Sequence, residues 1–131
     1  MTYVLDASAL TAYFEKEPGY EKVQELLTKA ASSKQFLLLS AVNWGEVFYV
    51  TFRNHGNESA EEISRVIESF PIDVVPVDRT LAKQAALYKA SHKMSYADCF
   101  AAALAKIQKA SLVTGDKDFK QLEDEIKIAW L

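Results

Sequence analysis

The sequence predicts a three-layer α/β/α domain on a mainly parallel five-stranded sheet, and three observations carry that expectation. Five short apolar runs are spread along the 131 residues, segments of helical period separate them, and most of the runs are too continuously apolar for a sheet with one wet face. Strands that alternate with helices are the pattern of a parallel α/β fold. The length fits one domain, residues 1–131, with no repeat, low-complexity tract or linker.

The first run, Tyr3–Leu5, ends at Asp6 and leads into a short helical segment. After the breaker Pro18-Gly19, Tyr20, Val23, Leu27 and Ala30 recur at spacings of three and four, which marks an amphipathic helix. The second run, Phe36–Leu39, precedes a helix over Asn43–Phe52, and Asn54-His55-Gly56-Asn57 reads as a turn into the next helix. That helix shows Ile63, Val66, Ile67 and Phe70 on one face and leads to the third run, Asp73–Val77. Leu81, Ala85 and Tyr88 mark another helix, and Tyr96–Lys109 is a further one. Leu112–Thr114 and Ile126–Trp130 complete the set of strands.

Composition excludes several classes. Half of the chain is apolar and a quarter charged, an ordinary globular balance, and a core of this size needs no covalent staple. One cysteine, Cys99, leaves neither an internal disulfide nor a thiolate zinc cluster. No apolar run reaches a membrane span, and the opening residues lack the pattern of a signal peptide, so a cytoplasmic protein with no membrane partner is expected. The net charge of −3 argues against nucleic acid only on its face: setting aside four carboxylates that hold metal leaves +1.

Those four are Asp6, Glu46, Asp98 and Asp116. Each has a structural reading. Asp6 and Asp116 suit helix N-caps, and Asn43-Trp44-Gly45-Glu46 and Ser95-Tyr96-Ala97-Asp98 both match a capping box. Their surroundings favour something more. Asp98 is the only charged residue between Tyr96 and Ala105. At 100° per residue, Tyr96, Phe100, Ala103, Leu104 and Ile107 form the expected core stripe, and Asp98 lies opposite, above Ala101, Ala102 and Ala105. Small residues there imply that something packs closely. Glu46 sits among Val42, Trp44, Val47, Phe48, Tyr49 and Val50, and Asp6 between Tyr3-Val4-Leu5 and Ala7-Ser8-Ala9-Leu10.

Buried carboxylates need a cationic partner, and lysine and arginine are scarce near these positions. Two carboxylates about 5 Å apart repel by roughly 3 kcal/mol at an effective dielectric of 20. An all-oxygen donor set without histidine or thiolate suits Mg²⁺ or Mn²⁺. Asp6 and Asp116 fall beyond strand ends, where ligands of parallel sheets gather. Ser8 and Thr114 are candidates to orient a carboxylate or a water, and Asp118 is a possible fifth acid. His55, His92, Glu15 and Glu17 read as surface residues, and Trp44, Tyr49 and Phe52 as core or interface rather than base-stacking platforms.

Four blocks meet a known family. Val4-Leu5-Asp6-Ala7-Ser8-Ala9-Leu10, Ser40-Ala41-Val42-Asn43-Trp44-Gly45-Glu46-Val47, Ser95–Ala105 and Leu112-Val113-Thr114-Gly115-Asp116-Lys117-Asp118-Phe119 resemble, in order, the acid-bearing blocks of PIN domains. A free-standing chain of this size is similar to the VapC toxins of prokaryotic toxin–antitoxin pairs. The resemblance implies a PIN-like sheet in the order 3-2-1-4-5 and Mg²⁺- or Mn²⁺-dependent hydrolysis of RNA, with Asp6, Glu46, Asp98 and Asp116 as the working acids. It also implies a homodimer and a small antitoxin whose basic segment blocks the site. Tyr13, Phe14, Phe48, Tyr49 and Phe52 are candidates to receive a partner helix, or equally to form core or homodimer contact. An RNA-processing nuclease or a catalytically silent binding module on the same fold are the alternatives. A haloacid-dehalogenase phosphatase would need an acid where Ser8 stands, and a receiver domain an acidic pair that is absent.

Overall fold

Neighbouring residues of a strand point to opposite faces of its sheet, and this alternation divides the core in two. Val4 and Leu112 join one apolar cluster, while their neighbours Leu5 and Val113 join the other. The computed structural model describes all residues, Met1–Leu131. Strands β1 (Tyr3–Leu5), β2 (Leu37–Ser40), β3 (Ile72–Val75), β4 (Ser111–Thr114) and β5 (Lys127–Trp130) form one sheet in the order β3-β2-β1-β4-β5. Every neighbouring pair is parallel, with Leu5 opposite both Leu39 and Val113.

One face carries α1 (Ala7–Glu15), α2 (Tyr20–Ser33), α3 (Ala41–His55) and α4 (Asn57–Ser69); the other carries α5 (Arg79–Ser91) and α6 (Tyr96–Gln108). The order and layers are those expected. The expectation of strands covered on both faces holds at β1, β2 and β4, but β3 is an edge on which Asp73 and Val74 are exposed. Its predicted end is also too long, since Val77 lies beyond the strand and in water. Phe36 likewise falls outside β2 and is exposed.

Helices α2 and α6 begin at Tyr20 and Tyr96 as expected, whereas α3 differs more. The helix read as beginning at Asn43 begins at Ala41, because the Ser40 hydroxyl accepts from Val42 N and caps it. Asn43 is therefore inside the first turn, and Glu46 is not the third residue of a capping box. At the other end, α3 runs through Asn54 and His55, which had the composition of a turn. Gly56 alone makes the break, at φ 91°, a conformation that side-chain-bearing residues rarely adopt.

α6 departs from a one-sided amphipathic helix. Phe100, Ala103 and Leu104 are buried as expected, but Tyr96 and Ile107, at the ends of the predicted stripe, are exposed. The side that bears Ala101, Ala102 and Ala105 is also buried, because α6 packs against α5, α3 and three strands at once. Alanines let those neighbours approach closely. Enclosure on this scale brings the N-terminus of α6 to the carboxyl end of the sheet, beside the starts of α1 and α3.

Candidate active site

Asp6 leaves β1 in extended conformation and caps α1, its Oδ1 accepting from Ala9 N at 2.8 Å. It is buried, and its other polar contacts are hydroxyls: Ser8 Oγ at 2.8 and 2.9 Å from the two oxygens, and Thr114 Oγ1 at 2.5 Å. Thr114 ends β4 and is itself fully buried; its Oγ1 also accepts from Asp116 N at 2.9 Å. One hydroxyl thus links the acid of β1 to the loop bearing the acid of β4. Asp116 in turn caps the short 3-10 helix Lys117–Leu122 by accepting from Asp118 N at 2.9 Å. The capping readings of Asp6 and Asp116 therefore hold, and hold together with a shared location.

Asp98 sits in the first turn of α6, where Ser95 accepts from its backbone N at 3.1 Å. Glu46 extends from α3 with Oε1 buried and unpaired. Asn43, fully buried one turn earlier, donates from Nδ2 to Ala97 O at 3.1 Å.

Asp6, Glu46, Asp98 and Asp116 line one cleft of about 240 Å³, together with Ser8, Thr11 and Glu17. No lysine or arginine lines it. Carboxylate oxygens of Asp98, Asp116 and Asp118 lie within 4.8 Å of one another, so the possible fifth acid belongs to the tightest group. Glu17 is exposed, as read from the sequence, and it also borders the cleft. Nothing in its local pattern distinguishes it. Thr11 and Asn43 were not singled out either; Asn43 was legible only as a cap.

The acids act on one another. Burial pushes the Asp98 carboxyl up to about 7, with the Asp116 charge adding to it, Ser95 opposing, and Asp6 and Glu46 contributing further. Burial likewise lifts Asp6 to about 6, against the Thr114, Ser8 and Ala9 hydrogen bonds that favour its ionised form. Glu46 is raised by burial and, less, by the Asp116 charge, and the Asn43 amide acts the other way. A cation would favour every ionised form at once.

A larger groove of about 910 Å³ adjoins the cleft and shares Thr11, Glu17, Val47 and Val50 with it. Tyr13, Phe14, Ile63, Val66 and Phe70 give it an apolar wall between α1, α3 and α4. Tyr13 and Phe14 pack edge-on, and Phe14 stacks with Phe70. Tyr49 and Phe52 point outward, Tyr49 beneath the Arg53 guanidinium at 5.5 Å. His55 pairs with Glu15 at 3.7 Å near the surface, and His92 bonds to the end of α5, as surface residues should.

A parallel sheet in this order, with acids gathered beyond β1 and β4, defines the class. The chain belongs to the PIN domain family, whose model matches residues 3–125. It is 28% identical over 127 residues to the VapC ribonuclease Mb0640 of Mycobacterium bovis, covering 92% of this chain and 94% of that protein. Its fold resembles the DNA-bound VapBC of Salmonella typhimurium at a TM-score of 0.78, with 16% identity and 98% and 97% of the two chains covered. It also resembles a toxin–antitoxin complex from Klebsiella pneumoniae at 0.71, with 17% identity and coverage of 98% and 96%.

Proposed function

We propose that this chain, as one domain over residues 1–131, is a Mg²⁺- or Mn²⁺-dependent endoribonuclease of the cytoplasm and the toxin of a toxin–antitoxin pair. The observation that carries the reading is the cleft itself: four acids from four separate segments converge where no basic side chain offsets them. Such a set destabilises the fold unless a cation joins it. The donor chemistry fits a hard ion, since the oxygens of Asp98, Asp116 and Asp118 lie within reach of one centre and Glu46 Oε1 lacks a partner. Family membership and the ribonuclease name of the Mycobacterium bovis relative support RNA as substrate.

In this reading Asp6, Glu46, Asp98 and Asp116 would hold the cation, and Asp118, whose carboxylate lies within 4.8 Å of those of Asp98 and Asp116, would support them. When bound, the cation neutralises the phosphodiester and lowers the pKa of a water. Ser8 and Thr114 fix the Asp6 carboxylate, so it need not reorganise during reaction. No side chain is needed as a covalent nucleophile.

The groove beside the cleft suits the apolar face of a partner helix, whose basic end would meet the acids with paired hydrogen bonds. This is the expected antitoxin. Tyr49 and Phe52, facing out, are the proposed contact with a second copy. Purified protein should cleave total RNA with Mg²⁺ or Mn²⁺ and stop when a chelator is added. Cleavage that survives the chelator would reject the metal reading. Growth arrest on expression, absent in Asp6→Asn, would separate a toxin from a processing ribonuclease.

A further inference from the structure

Asn43 does something that capping does not explain. Ser40 already caps α3, yet Asn43 stands fully buried in the first turn of that helix, where an amide is disfavoured unless it bonds. Its Nδ2 donates to Ala97 O, 54 residues further along the chain and one residue before Asp98. Its Oδ1 is buried with no partner. The bond to Ala97 is the only side-chain hydrogen bond that joins α3 to α6, and the same amide reaches toward Glu46, whose ionised form it favours. Glu46 follows Asn43 by three residues, which places it on the same face of α3.

We propose that Asn43 is a positioning residue that pins the start of α3 to the first turn of α6 and so fixes the separation of the Glu46 and Asp98 carboxyls. The remaining contacts between the two helices are packing, which resists compression but sets no direction. Glu46 and Asp98 carry like charge across the cleft, so the helices that bear them tend to spread when the tie is cut. A site for a small hard ion tolerates little spreading, because its oxygens must meet at short, nearly fixed distances. The inference rests on the reading of the acids as a cation site.

Mn²⁺ binding to the full chain without RNA tests it, read by calorimetry or by the loss of the free-ion paramagnetic signal. Asn43→Leu keeps the volume and removes the bond. At a temperature where circular dichroism shows it folded, it should bind Mn²⁺ at least about tenfold more weakly than wild type. Its kcat should fall with KM for RNA unchanged, and added Mn²⁺ should restore part of the loss. Val23→Ala, a fully buried change on α2 away from the cleft, serves as the stability control and should bind as wild type does. Affinity within about twofold of wild type in Asn43→Leu, or an equal loss in Val23→Ala, would overturn the proposal. If Asn43→Leu does not fold, the smaller Asn43→Ser is read by the same criteria. Wild type that binds no Mn²⁺, or binds it equally as Asp98→Asn, would sink the cation site and this inference together. Wild type that binds while Asn43 variants match it sinks this inference alone.

Discussion

Asp98 and Thr114 show how single residues divide the tasks of the cleft. Asp98 has one backbone bond to keep it in place and much unfavourable charge around it. An amide of the same shape keeps the α6 cap, which comes from Ser95, and removes the repulsion. Asp98→Asn is therefore expected to melt higher than wild type without metal, and to lose at least about a hundredfold in RNA cleavage rate, the usual cost of one electrostatic contact to the reacting centre. Thermal scans and single-turnover rates check both; a lower melting point with full activity would make Asp98 merely structural. Thr114 is the opposite case. Its hydroxyl donates to Asp6 and accepts from Asp116 N inside the protein. Thr114→Val keeps the shape of the strand and leaves both groups short of a partner, at a cost of about 1–3 kcal/mol. A drop in stability smaller than about half a kcal/mol would mean that the linkage is not needed.

At the scale of elements, strand centres and the starts of α2 and α6 were legible, and the start of α3 was not. Apolar runs over Tyr3–Leu5 and Leu112–Thr114 sit at the middle of the sheet, where packing on both faces leaves one reading. Local pattern puts the cap of α3 at Asn43, whereas the structure puts it at Ser40, three residues earlier. The ladder decides between them: Ser40 pairs with Val75 and must stay extended, so the helix begins right after it. Sheet pairing is a long-range fact that local pattern does not contain. Convergence of the acids was legible for the same reason in reverse, since parallel strands put their carboxyl ends on one rim. Glu17, from the loop between α1 and α2, was not legible because no strand end announces it. Ser40→Ala should cost about 1 kcal/mol through loss of the cap. Urea unfolding would detect it, and an unchanged midpoint would place the cap elsewhere.

Across the whole molecule, the acids tie stability to pH and metal in opposite senses. Folded Asp6 and Asp98 have pKa values of about 6 and about 7, above the roughly 3.9 of an unfolded aspartate. The folded state thus binds protons that the unfolded chain has released, and Glu46 is shifted in the same direction. Stability from these groups is present in full below about pH 4 and declines as pH rises through 6 and 7, with no further change above. Metal-free protein should accordingly melt higher at pH 5.5 than at pH 7.5, and a difference of 1 kcal/mol amounts to roughly 3–6 °C in a domain of this size. Asp98 is partly open to solvent, so screening trims its share. Cation binding requires the same carboxylates ionised, so its stabilisation grows with pH. Mn²⁺ at about a hundred times its dissociation constant adds roughly 2.7 kcal/mol at pH 7.5 and less at pH 5.5, where protons compete. The two melting curves should therefore converge toward acid and separate toward neutrality. Metal-free melting that rises from pH 5.5 to 7.5, with no response to Mn²⁺ at either, would show that the acids are stabilised by contacts within the chain and have no need of a cation.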